Sequence, residues 1–335
     1  MSMKKYILGL LLMLMTLPMV GMESSWQTHF AYNSVEVIAN CPQEIYALAN
    51  GAIFSVNKTT EAMTLYNNKS GLHGTSVCFL MYDEEREQLL IMYSDGKMDI
   101  QYNGTMHYIS DLYNKRMTSS KKCNNITIHD KFAYLSMDFG IIVFDLEKHE
   151  FKETYYIGEE ASEVKVTDVM FYGDSIYAQT KNKNYSACIH DNVVDFHFWK
   201  VCTALPRPFD TKKGKEYTMQ DGDVWKVAGE KGVFRKFITG EEAYYLPDGP
   251  QVNTPYNMTF DRGRLYVVPG GRWASQNDAA GHIMIYENGE WLNITSKQIQ
   301  GITGKKALDF MNVIVDPEDH EHFFVTSYGT GLYEF

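Results

Sequence analysis

Short apolar runs alternate with polar residues along most of the chain, and the runs come in pairs joined by a turn. Residues 44–48 lead through Gly51 into 53–56, and 89–93 lead through Gly96 into 98–100. Residues 133–136 pass through Gly140 into 141–144, and 176–178 pass into 185–187 with Asn184 in place of glycine. The last three pairs run 216–219 to 224–227 through Gly222, 265–268 to 283–286 through Gly281, and 323–326 to 332–335 through Gly331. Seven anchors mark the repeat: Tyr46, Leu90, Tyr134, Tyr177, Tyr217, Tyr266 and Phe324, spaced 40 to 58 residues apart. Units of roughly 40–50 residues made of short strands are the signature of propeller blades. The turn glycines agree, because tight hairpins need a positive φ that a Cβ opposes.

Further strand-like stretches flank the pairs. Residues 35–39, 76–82, 125–129, 166–172 and 312–316 precede them, and 63–66, 105–109, 152–157, 196–200 and 291–295 follow. This predicts an all-β fold: one β-propeller of seven four-stranded blades, the strands lettered a to d outward from the axis. The fifth unit is the weakest, since 201–215 offers no clear strand a, and it leaves a six-bladed alternative open. Residues 26–32 alternate like a strand and are expected to pair with 331–335 as the outer strand of the last blade. That pairing would remove an exposed sheet edge.

The N-terminus adds a location. Lys4 and Lys5 precede an apolar run from Tyr6 to Met15, then Pro18 and Gly21, the layout of a secretory signal peptide. The run is too short to span ~30 Å of hydrocarbon comfortably. The domain reading is therefore a signal peptide over 1–21 and a propeller over 22–335. The first cysteine is Cys41, so no lipid-anchoring cysteine sits at the cleavage site. The whole chain carries a net charge of -11, and removal of the two lysines takes it to -13. An acidic body disfavours nonspecific nucleic-acid binding. The five cysteines form no C-x-x-C pair and read as small buried thiols.

The search for chemistry is mostly negative. H-E-x-x-H, G-x-S-x-G, P-loop and dinucleotide motifs are all missing from the sequence. Neither a metal site nor a cofactor is expected. The segment 316–322 holds metal-capable groups, but alternation along an extended chain points to a solvated turn. Several N-x-S/T triplets are read as turn composition. The insertion in the sixth unit is more informative: Arg272 and Trp273, followed by Gln276 and Asn277, sit on a Gly-rich loop that could stack on a sugar and bind its polar groups. The b–c and d–a loops share one face of a propeller. Six such loops carry twelve cations, among them Lys115, Arg116, Lys121 and Lys122, against six anions. A locally positive face on an acidic body can attract an anionic partner.

Segments 26–33, 45–56, 140–145 with 154–158, 266–273 and 326–335 together resemble the N-terminal propellers of PorZ-type surface proteins of the type IX secretion system. Regulator-type propellers share the G-L-Y-x-F ending, and the order of the segments favours the PorZ type. The resemblance spans the mature chain. It implies a noncatalytic scaffold or glycan-presenting module at the surface, or in the periplasm, of a Gram-negative bacterium. It implies a cell-surface sortase and anionic lipopolysaccharide as partners, together with other components of that system. Proteins of this type continue into a second propeller and a sorting domain, so the chain is expected to be a fragment or a shortened relative. No catalytic residue is carried over. Two other readings compete: a propeller glycosidase or lyase with carboxylates gathered at the axis, and the ligand-sensing propeller of a two-component receptor. Carboxylates lining the axial mouth are what the enzyme reading needs.

Overall fold

The computed structural model describes residues 27–271, 277–319 and 321–335. The expected signal peptide, Trp26 and His320 lie outside the described residues.

Seven antiparallel sheets follow one another along the chain, six of four strands and one of three. They are the seven expected blades. Blade one comprises Val35–Asn40, Glu44–Ala49, Ala52–Asn57 and Met63–Tyr66. Its central hairpin closes through Asn50 and Gly51, with φ of 48° and 82°, between the paired residues Ala49 and Ala52. Two consecutive positive φ values are what a two-residue hairpin turn matched to strand twist demands.

Two blades differ from the expected pattern. In blade four, Phe196–Phe198 is a 3-10 turn, capped by the Asp195 carboxylate, and the outer strand is Lys200–Cys202. In blade five, Glu216–Thr218 is the first strand rather than the second. The remaining strands are Val224–Val227, Val233–Lys236 and Glu242–Tyr245. The segment 201–215 therefore never had to supply a strand to that blade. Its four strands come from short runs interrupted by glycines, which the hydrophobic pattern underweights.

Central strands of the first blades serve two cores. In Gly140–Asp145, Ile141 and Val143 pack towards blade four, while Ile142 and Phe144 pack towards blade two. In Glu44–Ala49, Tyr46 and Leu48 face blade two, while Ile45 and Ala47 face the other way. Alternation along a strand sends successive side chains to opposite faces, so a strand buried on both faces reads as continuously apolar.

The partner of blade one on that second face is blade five. Ile45, Ala47, Phe54 and Val56 share a core with Trp225, Val233 and Tyr245. The Val35 amide also donates to the Gly229 carbonyl at 3.2 Å, and the Ile38 amide to Gly214 at 2.7 Å. The shared cores thus run in the order five, one, two, three, four. Blades six and seven share a separate core around Tyr266, Phe310 and Phe323.

The N-terminal residues do not extend the last blade. Its sheet is three-stranded, Phe310–Val315, Phe323–Ser327 and Gly331–Glu334, and residues 27–34 form no strand. Ala31 and Tyr32 are buried instead, with Tyr32 edge-on to Phe54 in the core between blades one and five. The strap is held by amides: Ala31 N–H donates to Asn253 Oδ1 at 2.7 Å, and Asn33 Nδ2 to the Gln251 carbonyl at 2.9 Å. Farther out, Trp291 Nε1 donates to His29 Nδ1 at 3.1 Å. Burying an aromatic ring outweighs what an added edge strand would gain. Blade seven buries one face against blade six and exposes part of the other, with Ile314 57% and Leu332 66% accessible.

All five cysteines are free; Cys41 and Cys123 are buried as expected, while Cys78, Cys188 and Cys202 are only half-buried. The 316–322 segment is an ion-paired turn: His322 contacts Asp316 Oδ2 at 2.9 Å through Nδ1 and Glu334 Oε1 at 3.0 Å through Nε2. Both ring nitrogens are committed, leaving neither for a metal.

Arg235 ties blade five to blade one. Its Nε and Nη2 reach Asp223 Oδ2 at 2.8 and 2.6 Å, and Nη1 donates to the Lys58 carbonyl at 2.9 Å. The guanidinium lies over the Trp225 and Phe237 rings. Burial would raise the Asp223 carboxyl, but the Ile238 amide and Arg235 outweigh it and hold it below its ordinary value. Arg235→Ala should cost about 3 kcal/mol, because it strands a buried carboxylate. Arg235→Lys should not restore the loss, since an ammonium cannot supply the planar fork. A depressed carboxyl stabilises above its unfolded-state pKa, and that contribution disappears as pH falls through the folded value. Urea melts of the two variants at neutral and acid pH should show the gap from wild type closing in acid.

Candidate functional site

Strand a of a propeller blade faces the axis, and five of the first strands here carry the same irregularity: one in blade seven, between Phe310 and Asn312, and four in blades one to four. In those four the pairing register slips between Val35 and Val37, between Val77 and Phe79, between Cys123 and Asn125, and between Val166 and Asp168. The extra residues are Glu36, Cys78, Asn124 and Thr167. A bulge leaves one residue outside the ladder and re-aims its side chain. All four line a single cavity of about 810 Å³ at the axial mouth of blades one to five.

The chain linking blades four and five completes the mouth with Phe209, Asp210, Thr211 and Lys213. Arg207 donates to the Phe171 carbonyl, and Lys213 crosses to the far wall. Its Nζ lies 2.7 Å from both Asp168 Oδ1 and Thr127 Oγ1. Asn124 Nδ2 bridges Asp138 Oδ1 at 3.1 Å and the Val166 carbonyl at 2.9 Å, locking blade three to blade four. Burial would raise the Asp138 carboxyl, but hydrogen bonds from Lys165, Ser120 and Asn124 outweigh it and hold it below the ordinary value. Burial pushes the Cys78 thiol up to about 11, which makes it inert as a nucleophile.

The mouth itself is not positive. Lys122, Lys213 and Lys215 are matched there by Glu36, Asp168 and Asp210. Of the four cations read from the connection between blades two and three, Lys122 is the one that reaches it. Lys122 lines the cavity and is exposed, and Lys115 and Arg116 are exposed just after a short helix, Asp111–Asn114. Lys121 is turned aside, donating to the Tyr113 carbonyl at 2.7 Å. Asn277 is exposed on blade six, in the separate six–seven core unit, where Asp309 anchors its loop through the Asp278 and Ala279 amides. Arg272, Trp273 and Gln276 lie outside the described residues. The structure thus groups Lys115, Arg116, Lys121 and Lys122 on the connection between blades two and three. Among the described residues, no contact joins them to Asn277.

The bulge residues escaped the reading of the sequence. Their signal is faint: a polar or small residue second in an apolar strand, as in V-E-V, V-C-F, C-N-N and V-T-D.

Residues 45–200 match the family model for the N-terminal β-propeller domain of PorZ, of the type IX secretion system. Over that segment the chain is similar to PorZ. The match runs from blade one to blade four and includes three of the four cavity bulges. The structure of PorZ of Porphyromonas gingivalis, an essential bacterial surface component of the type IX secretion system, aligns with a TM-score of 0.74 at 23% identity. The alignment covers 92% of this chain and 52% of that one, so the chain spans about half the length of that protein. The extracellular domain of a hybrid two-component system protein of B. thetaiotaomicron aligns at 12% identity and a TM-score of 0.41, over 93% of this chain and 40% of that one. No curated protein matches the sequence. Among the described residues, no helix is long and apolar enough to cross a membrane.

The Lys213–Asp168 contact closes the mouth, with both side chains largely buried. Lys213→Met should cost about 3–5 kcal/mol by leaving Asp168 unpaired, and adding Asp168→Leu should recover most of it. A double-mutant cycle by urea denaturation measures this. Additive losses would show that the pair does not hold the mouth.

Proposed function

We propose that the chain is a noncatalytic, exported propeller module of a type IX secretion cell-surface attachment complex. It engages an anionic lipopolysaccharide glycan, presented to a sortase, through the face that bears the axial mouth. The observation that carries this reading is the family match over residues 45–200, which includes Cys78, Lys122, Asn124 and Thr167 of the cavity wall. The cationic connection between blades two and three supplies attraction through Lys115, Arg116 and Lys122. The charge-balanced mouth supplies polar groups at fixed positions through Asn124, Thr167 and Glu36. Cell-surface exposure agrees with the description of PorZ as a bacterial surface component.

Glu36, Asp168 and Asp210 line the cavity, the kind of arrangement a glycosidase would use. Asp168, however, already accepts from Lys213, Thr127 and the Val169 amide through Oδ1. The chain should therefore show no turnover on polysaccharide, peptide or ester panels. Reproducible hydrolysis that Glu36→Gln or Asp210→Asn removes would overturn the noncatalytic reading.

Binding is tested by titrating anionic lipopolysaccharide at two ionic strengths. Lys115→Ala/Arg116→Ala/Lys122→Ala should weaken binding mainly at low salt, because exposed charges are screened over ~8 Å at physiological ionic strength. Unchanged affinity at both salt levels would remove this face as the binding surface.

A further inference from the structure

Beside the cationic connection, between blades one and two, lies a second cavity of about 450 Å³. It is walled by His73, Tyr93, Ser76 and Ser94, with Asp95 and Lys97 at its edge. Behind it sits Asp99, fully buried on the strand Met98–Tyr102. A buried carboxylate is costly unless donors meet it. Three do: Tyr93 Oη at 2.6 Å and the His73 amide at 2.9 Å reach Oδ2, and His73 Nδ1 reaches Oδ1 at 2.9 Å. The His73 ring is stacked on Tyr108, with centroids 4.6 Å apart and planes 17° from parallel.

This arrangement fixes the imidazole twice. The carboxylate accepts from Nδ1, so in the neutral ring the proton sits there and Nε2 carries the lone pair. Tyr108 sets the ring plane. Nε2 has no hydrogen-bonding partner among the described residues, and the His73 side chain is 43% accessible. The result is a pre-oriented hydrogen-bond acceptor facing a cavity with the hydroxyls of Ser76 and Ser94.

The cavity's charges cancel, since Lys97 Nζ lies 2.9 Å from Asp95 Oδ2. An anion would gain nothing from that pair and would face the Asp99 carboxylate behind the imidazole. A metal would find one imidazole; among the described residues no group of three or more His, Cys, Asp or Glu could hold an ion. A ring bearing several hydroxyls matches donors and acceptors alike. Gly74 lets the Tyr93 ring pack against the backbone of the cavity wall, since a Cβ there would approach that ring to 2.5 Å. We infer that the juxtaposition of His73, Ser76 and Ser94 over buried Asp99 is a subsite for one uncharged sugar ring, with His73 Nε2 accepting from a sugar hydroxyl. This deepens the glycan-binding reading of the same face and rests on it for the identity of the polymer.

The test titrates the methyl glycosides of mannose, galactose and glucose into the full chain, followed by NMR of the labelled imidazoles and tyrosines. At least one glycoside should give saturable shifts at His73 and Tyr108, equally at low and high salt. His73→Ala should lower that affinity about tenfold, the worth of one hydrogen bond to a pre-oriented group. His149→Ala, on blade three and away from this cavity, should leave it unchanged. Asp99→Asn is prone to unfold, so His73→Gln, which keeps the turn, serves as the second variant and should also lose binding with an unaltered melting temperature. Absence of shifts with all three glycosides, or shifts that persist in His73→Ala, would overturn the subsite. Lipopolysaccharide binding that needs the lysines but survives His73→Ala would do the same while leaving the wider reading intact. Glycoside shifts without lipopolysaccharide binding would overturn the wider reading and support the subsite.

Discussion

A blade of four short strands is apolar on both faces, and no such sheet can bury both faces alone. Everything else in this molecule follows from that constraint. The core strand Gly140–Asp145 divides its side chains between two neighbours, and the strand Glu44–Ala49 does the same. Blade one finds its second neighbour in blade five, through Trp225 and Tyr245, and Arg235 reinforces that contact from its edge. The N-terminal strap obeys the same demand: Tyr32 goes where an aromatic ring can be covered, not where a strand could be added.

Because packing consumes both faces of the sheets in blades one to three, little of those blades is free to do chemistry. What remains is the start of strand a, where a bulge can release one side chain, and the loops on the same face. Glu36, Cys78, Asn124 and Thr167 are released in this way, and His73 and Lys122 stand on the adjoining loops. Buried carboxylates hold these loops. Asp99 fixes His73, and Asp168 fixes Lys213 across the mouth. Each is expensive to bury and each is matched by several donors.

This division explains what the sequence revealed. Blade count, turn glycines and the hairpins were legible, since two-sided burial writes a continuous apolar run and a tight turn requires a positive φ. The fifth blade was offset by one strand because its strands are three or four residues long, too short for a periodic signal. The blade order was not legible, since local alternation says that a face is buried and not by what. The cationic residues were legible as charge. Their grouping was not, because loops from blades two and six look alike in sequence and belong to different core units. His73 gave no signal, since its partner Asp99 lies a whole hairpin away.

The low identity to PorZ fits the same physics. A TM-score of 0.74 at 23% identity is what a repeat of two-faced sheets tolerates, because volume-conserving apolar exchanges keep a core packed. The fold therefore constrains the face very little. A bulge fixes where a side chain points and leaves its identity open, so relatives with superimposable blades can present different ligand chemistry from the same positions. Shared architecture carries the fold alone, and what either cavity can hold is decided by this chain's own residues, Lys122, Asn124 and Thr167 at the mouth and His73 beside it.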